Sequence, residues 1–297
     1  MLSKKYKAID IGLIILFLSS FVCFLFWVLG MYVFSKPRYI YGHNLPHSGE
    51  DTFDSSLLRL NTLDKLTDYC DSVQATTSSY LTYPDVVSEA IRRKFYHNYS
   101  YYHVYNNAMG IFLSTLTGEG SMAVVIPDDI VKYPFAACSQ QSIVSMEILK
   151  KKGYPVRKVS MLDSVTRSGH FAYEAYYDKG WHFFDTDQEP DEAVLRKYNQ
   201  PSSAFLVAHP EIIIEAYHKR DDPQLSKRLL MSNKLGPVNK FPAPNAYLFQ
   251  VVTKYFTRLG FLFFLALIFV RYKIRKERRN LSGLATVKRK EIAKAFS

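Results

Sequence analysis

The sequence predicts an α+β domain of about 200 residues, in which a core helix packs on an antiparallel sheet, flanked by two membrane-spanning helices. Three observations carry this. Long apolar runs stand near both ends of the 297-residue chain. Residues 138–152 form a helical pattern that is apolar nearly all round, as a core helix is. Short runs follow it, rich in aromatic and β-branched residues and joined by the turn signal Asp178-Lys-Gly180.

The first apolar run, Ile11 to Phe34, has no charged residue and exceeds the ~20 residues that cross a bilayer core. A cleaved leader needs a shorter apolar stretch and a small-residue cleavage site. The run instead ends in Gly30-Met-Tyr-Val-Phe-Ser, so an uncleaved anchor over 11–34 is expected. The second run, Leu259 to Val270, reaches spanning length when extended back to Tyr247. It then includes Lys254 and Arg258, four apart on one helical face and able to snorkel toward an interface.

The net charge of +11 is concentrated at the ends, with +8 after Val270 and +2 in the first ten residues. A nucleic-acid partner needs a basic face on the folded domain, so none is expected. Basic residues beside apolar runs mark the cytoplasmic ends of spans. The expected organisation is a cytoplasmic N-terminus (1–10), a span (11–34), an extracytoplasmic domain with linker (35–246), a span (247–270) and a cytoplasmic basic tail (271–297). This two-pass topology belongs to a plasma (inner) membrane, with lipid as a partner.

Residues 36–56 read as a loop. His43 and His47 are four apart but separated by Pro46, which argues against a helical metal pair. Two helical patterns follow in 57–95, the second starting at Pro84-Asp85. The tyrosine-rich stretch 96–118 ends in Ile111, Phe112, Leu113 and Leu116 and reads as a buried helix. Asn98-Tyr-Ser100 matches a glycosylation acceptor, a triplet common by chance. Thr117-Gly-Glu-Gly-Ser121 is a turn without the Lys-Ser/Thr ending of a phosphate loop.

In the helix starting at Cys138, Glu147, Lys150 and Lys151 make a narrow polar stripe, and Cys138 points away from it. Gly153 suits the helix end. Strands are expected over Val156–Met161, 170–177 and Trp181–Thr186. Pro190, Pro201 and Pro210 punctuate later helices. Residues 236–245 form a stiff linker into the second span.

Cys138, His170 and Asp185 are a thiol at a helix start, an imidazole and a carboxylate. A helix N-terminus favours a thiolate. An imidazole moves its proton, and a carboxylate orients the imidazole. The backbone N–H of Cys138 is one natural oxyanion donor, and Gln140, Gln141, Asn106 and Asn107 are candidates for a second. His182 is the rival base and Asp187 the rival carboxylate. Glu189, Asp191 and Glu192 read as a solvated helix start, and Glu174 and Trp181 as ordinary surface and packing residues. Cys70 could compete by pairing with Cys138 in an oxidising compartment. Cys23 lies in the first span.

Strand register tests the trio. Direct opposition of His170 and Asp185 requires paired residue numbers to sum to 355. A tight turn at Lys179-Gly180 gives 359, which keeps both on one face but offsets them along the strands, and a three-residue turn gives 358 with the pair on opposite faces. A bulge or wider turn is therefore expected.

At these residues the chain resembles the transglutaminase-like superfamily, a branch of the papain-like cysteine enzymes. The matching positions are Cys138 at the start of the central helix, Gly153-Tyr-Pro-Val-Arg157 after it, and then His170, Glu174, Trp181 and Asp185. Ala136 and Ala172 stand where members often carry Gly and an aromatic. The resemblance covers about 80 residues closely. It implies acyl transfer from an amide through a Cys138 thioester, on a protein or peptide substrate that could be an envelope component. Water as acceptor makes a protease or amidase, and an amine makes a crosslinker. No cofactor and no metal site is expected, and the calcium dependence of some relatives does not transfer. The alternative is a catalytically inactive binding or assembly module of a cell-envelope or exopolysaccharide complex.

Overall fold

A computed structural model describes residues 2–33, 53–77, 81–117, 123–163, 165–187, 190–218 and 223–295. Most of the loop expected over 36–56, with His43 and His47, lies outside these residues, as do 118–121 of the expected turn and Glu189. The elements in order are α1 (Leu2–Val33), a 3-10 turn (Ser55–Arg59), α2 (Leu63–Thr76), α3 (Tyr83–Lys94), α4 (Val104–Thr117), α5 (Pro127–Ile130) and α6 (Cys138–Lys151). Strands β1 (Val156–Leu162), β2 (Gly169–Tyr177) and β3 (Gly180–Phe184) follow. Then come α7 (Glu192–Lys197), α8 (Ser203–Ala208), α9 (Pro210–Ala216), α10 (Pro223–Met231), β4 (Lys234–Leu235) and α11 (Pro244–Ala295). The chain divides into two compact units.

One unit comprises 36–101 and 120–250. Its four-stranded antiparallel sheet has the order β3-β2-β1-β4. Helix α6 packs on β1 and β2. Val159, Met161, Ala172 and Phe183 of the sheet join Leu206 and Ile213 in a buried cluster with α7–α10. This is the α+β arrangement the sequence predicts. Helix α3 starts in a capping box, in which Asp85 N–H donates to Thr82 Oγ1 and Thr82 N–H to Asp85 Oδ2. Helix α6 ends at Gly153 (φ +86°), with Gly153 N–H donating to the Lys150 carbonyl and Tyr154 N–H to that of Leu149, a Schellman closure.

The β2–β3 hairpin departs from expectation. Its paired numbers sum to 357, from Tyr173↔Phe184 to Tyr177↔Gly180, so the turn is Asp178-Lys179, one residue earlier than expected. Both residues take positive φ (46° and 66°), the signature of a type I′ turn. This parity puts positions 170 and 185 on one face without a bulge or wider turn.

Glu174 is fully buried rather than on the surface. Its carboxylate accepts from Arg157 Nε (2.6 Å) and from Ser203 N–H and Oγ–H (both 2.7 Å). The Arg157 guanidinium lies 4.0 Å from the centroid of the Trp181 ring. Glu192 is likewise not solvated; it pairs with buried Arg92 at 2.6 Å. Asp191 does start a helix, its carboxylate capping Ala193 N–H of α7.

The other unit comprises residues 1–35, 102–119 and 251–297. Two of its helices are long and apolar enough to cross a membrane, over Ala8–Met31 and within Pro244–Arg278. They run antiparallel. Asp10 pairs with Arg271 (2.5 Å) and with Arg275, Phe24 meets Phe261 (4.7 Å between centroids), and Arg258 lies over Trp27. Lys254 and Arg258 thus sit over the aromatic rings of Tyr102 and Trp27, where the sequence suggested snorkelling. Helix α11 continues through the basic tail without a break after Val270. Helix α4 belongs to this unit, and Phe112, expected to be buried, is 66% exposed. Its backbone departs from helical geometry at Asn107, whose side chain donates to Thr253 Oγ1 and accepts from Gly110 N–H.

Candidate functional site

Helix α6 begins at Cys138 because residues 136–137 are held in place before it. Ala136 N–H donates to the Tyr96 carbonyl, and Gln140 Oε1 accepts from Ala137 N–H and Ser100 N–H. One turn into α6, Ser142 Oγ–H donates to the carbonyl of Phe171 (3.1 Å), tying the helix to the residue after His170. The Cys138 sulfur is thereby brought to the imidazole.

Cys138 Sγ, a ring nitrogen of His170 and a carboxylate oxygen of Asp187 lie within 4.8 Å of one another, and all three residues are buried. His170 Nε2 lies 2.8 Å from Asp185 Oδ2, which leaves Nδ1 for the sulfur. Asp185 is 1% exposed and held from several sides. Tyr217 O–H donates to its Oδ2 (2.8 Å), Asp187 N–H to its Oδ1 (3.3 Å), and Arg92 Nη2 to its backbone carbonyl (3.1 Å). Burial works against charge on the His170 ring. The Asp185 carboxylate, and then the Cys138 sulfur, outweigh it and hold the imidazole well above its ordinary range.

A second imidazole–carboxylate pair completes the surroundings. His97 Nδ1 lies 2.6 Å from Asp187 Oδ1, which also accepts from Gln141 Nε2 (3.1 Å). Tyr99 stands nearby. Burial, then Cys138, Tyr101 and Asp187, push its phenol pKa up.

The fold thus brings the three sequence-predicted residues together. Asp185, not Asp187, backs the His170 ring, whereas Asp187 approaches the sulfur itself. His182 turns to backbone carbonyls, with Nδ1 2.6 Å from that of Gln200 and Nε2 3.1 Å from that of Tyr177. The three cysteines are free thiols, so Cys70 does not pair with Cys138. Cys70 is fully buried, and burial raises its pKa to about 12.

Three of the four expected second oxyanion donors, Gln140, Gln141 and Asn107, have their amide N–H groups engaged elsewhere. The Gln140 amide donates to the carbonyls of Ser100 and Val124, and that of Gln141 to Ala136 and Asp187. Asn106 accepts from His103 N–H in the first turn of α4, and Asn107 bonds within the apolar unit. Arg92, His97 and Tyr217 were not legible as site residues, because distant parts of the chain deliver them. Comparison with protein-family models, curated proteins and solved structures returned no match for this chain.

Proposed function

We propose that this chain is a membrane-anchored cysteine enzyme of transglutaminase-like type that transfers the acyl group of an amide. The observation that carries the reading is one line of atoms: a thiol at the first residue of a core helix, an imidazole beside it, and a buried carboxylate 2.8 Å behind the imidazole. The elevated proton affinity of His170 and the α6 N-terminus both favour a thiolate–imidazolium pair.

The thiolate attacks the amide carbonyl carbon, and the carbonyl π pair moves onto oxygen. N–H groups at the start of α6, which lack intrahelical partners, face the developing charge. Collapse expels the amine, which takes its proton from His170, and leaves a Cys138 thioester. His170, now neutral, removes a proton from water or from an acceptor amine as either attacks the thioester, and the thiolate departs. Water gives hydrolysis and an amine gives a crosslink. The substrate class is a protein or peptide of the envelope.

Two further observations support the reading. Arg157, Glu174 and Trp181, which carry the family resemblance without doing chemistry, form one cluster. The antiparallel apolar helices bring Asp10 to Arg271, consistent with both basic ends on the cytoplasmic side and the sheet unit outside it.

The test is alkylation of the full chain in detergent micelles by iodoacetamide at pH 7. Cys138 reacts faster than a model thiol, and His170→Ala abolishes the excess. A Cys138 rate equal to the model thiol favours the inactive binding module instead.

A further inference from the structure

The mechanism uses the sulfur, His170 and Asp185. It has no use for a second carboxylate at the sulfur. An anion there opposes a neighbouring thiolate, yet Asp187 is 7% exposed and its Oδ1 is held by His97 and Gln141. Sulfur, imidazole nitrogen and carboxylate oxygen within 4.8 Å of one another, from a helix, a strand and a loop, form a donor set that suits a borderline-soft dication.

We infer that the site binds a zinc ion through Cys138 Sγ, His170 Nδ1 and Asp187, and that the ion reversibly silences the thiol. Zinc takes tetrahedral S, N and O ligands at about 2.0–2.3 Å, so neighbouring donors stand roughly 3.5 Å apart. Side-chain adjustments of about 1 Å bring the present set to that spacing. A thiolate and a carboxylate among the ligands offset the ion's two charges. Magnesium and calcium prefer all-oxygen sites and are disfavoured by the sulfur.

Metal sites need supporting contacts that fix the ligands, and here they are in place. His170 Nε2 is held by Asp185, itself bonded by Tyr217, which orients Nδ1 toward the ion. Asp187 Oδ1 is held by His97 and Gln141, which fixes the carboxylate beside the sulfur and the ring nitrogen. Binding displaces the proton shared by sulfur and imidazole into solvent and occupies the nucleophile's electron pair. Three protein ligands leave a fourth position for water.

This regulation rests on the proposed cysteine chemistry, whereas the metal site itself does not. The experiment uses the untagged full chain in detergent micelles with a non-thiol reductant. Zinc chloride is titrated in competition with a chromophoric chelator, and iodoacetamide labelling of Cys138 is followed in parallel. One zinc per chain is expected, together with zinc protection of Cys138. Asp187→Asn and Cys138→Ser lose the stoichiometric site, and His97→Ala weakens it about tenfold. Without zinc, Asp187→Asn still reacts with iodoacetamide faster than a model thiol, or, where Cys138 shows no such excess in the wild type, keeps the wild-type melting temperature, which shows that its fold persists. Undiminished zinc binding in Asp187→Asn, or rapid alkylation of the wild type that zinc does not slow, overturns the inference and leaves the cysteine enzyme standing. Stoichiometric zinc on a Cys138 no more reactive than a model thiol supports the metal site and removes the enzyme.

Discussion

His170 on β2 and Asp185, just past the end of β3, are diagonal, not opposite, neighbours. The β2–β3 register pairs residues whose numbers sum to 357, so an extended ladder would set position 187 across from His170. Asp185 lies one residue past the end of β3, on the same face, and its carboxylate spans the two-residue offset to Nε2 at 2.8 Å. The residue nominally opposite, Asp187, is deflected to the sulfur and to His97. One hairpin therefore delivers two carboxylates to two different atoms of the site.

This relationship separates the two aspartates by experiment. Asp185→Asn removes the anion that sustains the charged imidazole and is expected to slow Cys138 alkylation at pH 7 at least tenfold, approaching His170→Ala. Tyr217→Phe removes one of several contacts on the same carboxylate and is expected to slow it only a few-fold. Equal rates for Asp185→Asn and wild type would refute the assigned role of Asp185.

Glu174 is a structural anchor. Replacing it with Ala leaves the Arg157 guanidinium unpaired at 19% exposure and strips the acceptor from Ser203 N–H. Breaking a buried pair from one side costs about 3–5 kcal/mol, and the partial exposure of Arg157 places the loss at the lower end. Denaturant titration of the full chain in micelles, followed by tryptophan fluorescence, reads this directly. Trp181, which stacks on Arg157, reports from within the cluster.

Lys94 gives a prediction with a definite pH dependence. Its ammonium is fully buried without a hydrogen-bond partner, 5.3 Å from the centroid of the Phe95 ring, and burial lowers its pKa from 10.5 to about 8. Below pH 8 both folded and unfolded chains carry the charge, and the folded state bears the full cost, on the order of 3 kcal/mol. Between about pH 8 and 10.5 the unfolded chain still binds the proton and the folded one does not, so stability contributed at this site rises with pH. Lys94→Met is therefore expected to be more stable than wild type at pH 7 by about that amount, with the gap shrinking as pH approaches 10.5. Parallel melts of the two proteins across this range measure the gap; a pH-independent gap would contradict the assignment.

The sequence made the trio legible because each member sits on an element with its own local signal. Cys138 opens an apolar-all-round helix, and His170 and Asp185 bracket a hairpin. Register was misplaced by one residue because the turn uses Asp178 and Lys179 at positive φ, where Gly180 is the residue that takes such angles without strain. Glu174 and Glu192 looked like surface charges because their partners, Arg157 and Arg92, are 17 and 100 residues away in the chain. Pairing over such distances leaves no periodic trace. His97 and Tyr217 reach the site by tertiary packing alone. Phe112 was read as buried because an apolar run has the same pattern whether or not the protein itself covers it.

Asn107 tests the apolar unit. Its amide donates to Thr253 Oγ1 (3.0 Å), its carbonyl oxygen accepts from Gly110 N–H (3.0 Å), and the Thr257 hydroxyl accepts from Met109 N–H. These bonds satisfy backbone freed by the non-helical geometry at Asn107 (φ −154°, ψ 65°). Interhelical hydrogen bonds in membranes average about 0.6 kcal/mol and reach about 1.7, because the unfolded chain in the same surroundings also finds partners. Asn107→Ala also strands the Gly110 N–H, so a loss near the upper value is expected, seen as a lower melting temperature in micelles. Thr253→Val removes only one acceptor and is expected to cost less than half as much. The double variant should lose less than the sum of the two, since the Asn107–Thr253 bond can be lost only once. Strict additivity would mean that the two side chains do not interact in the folded protein.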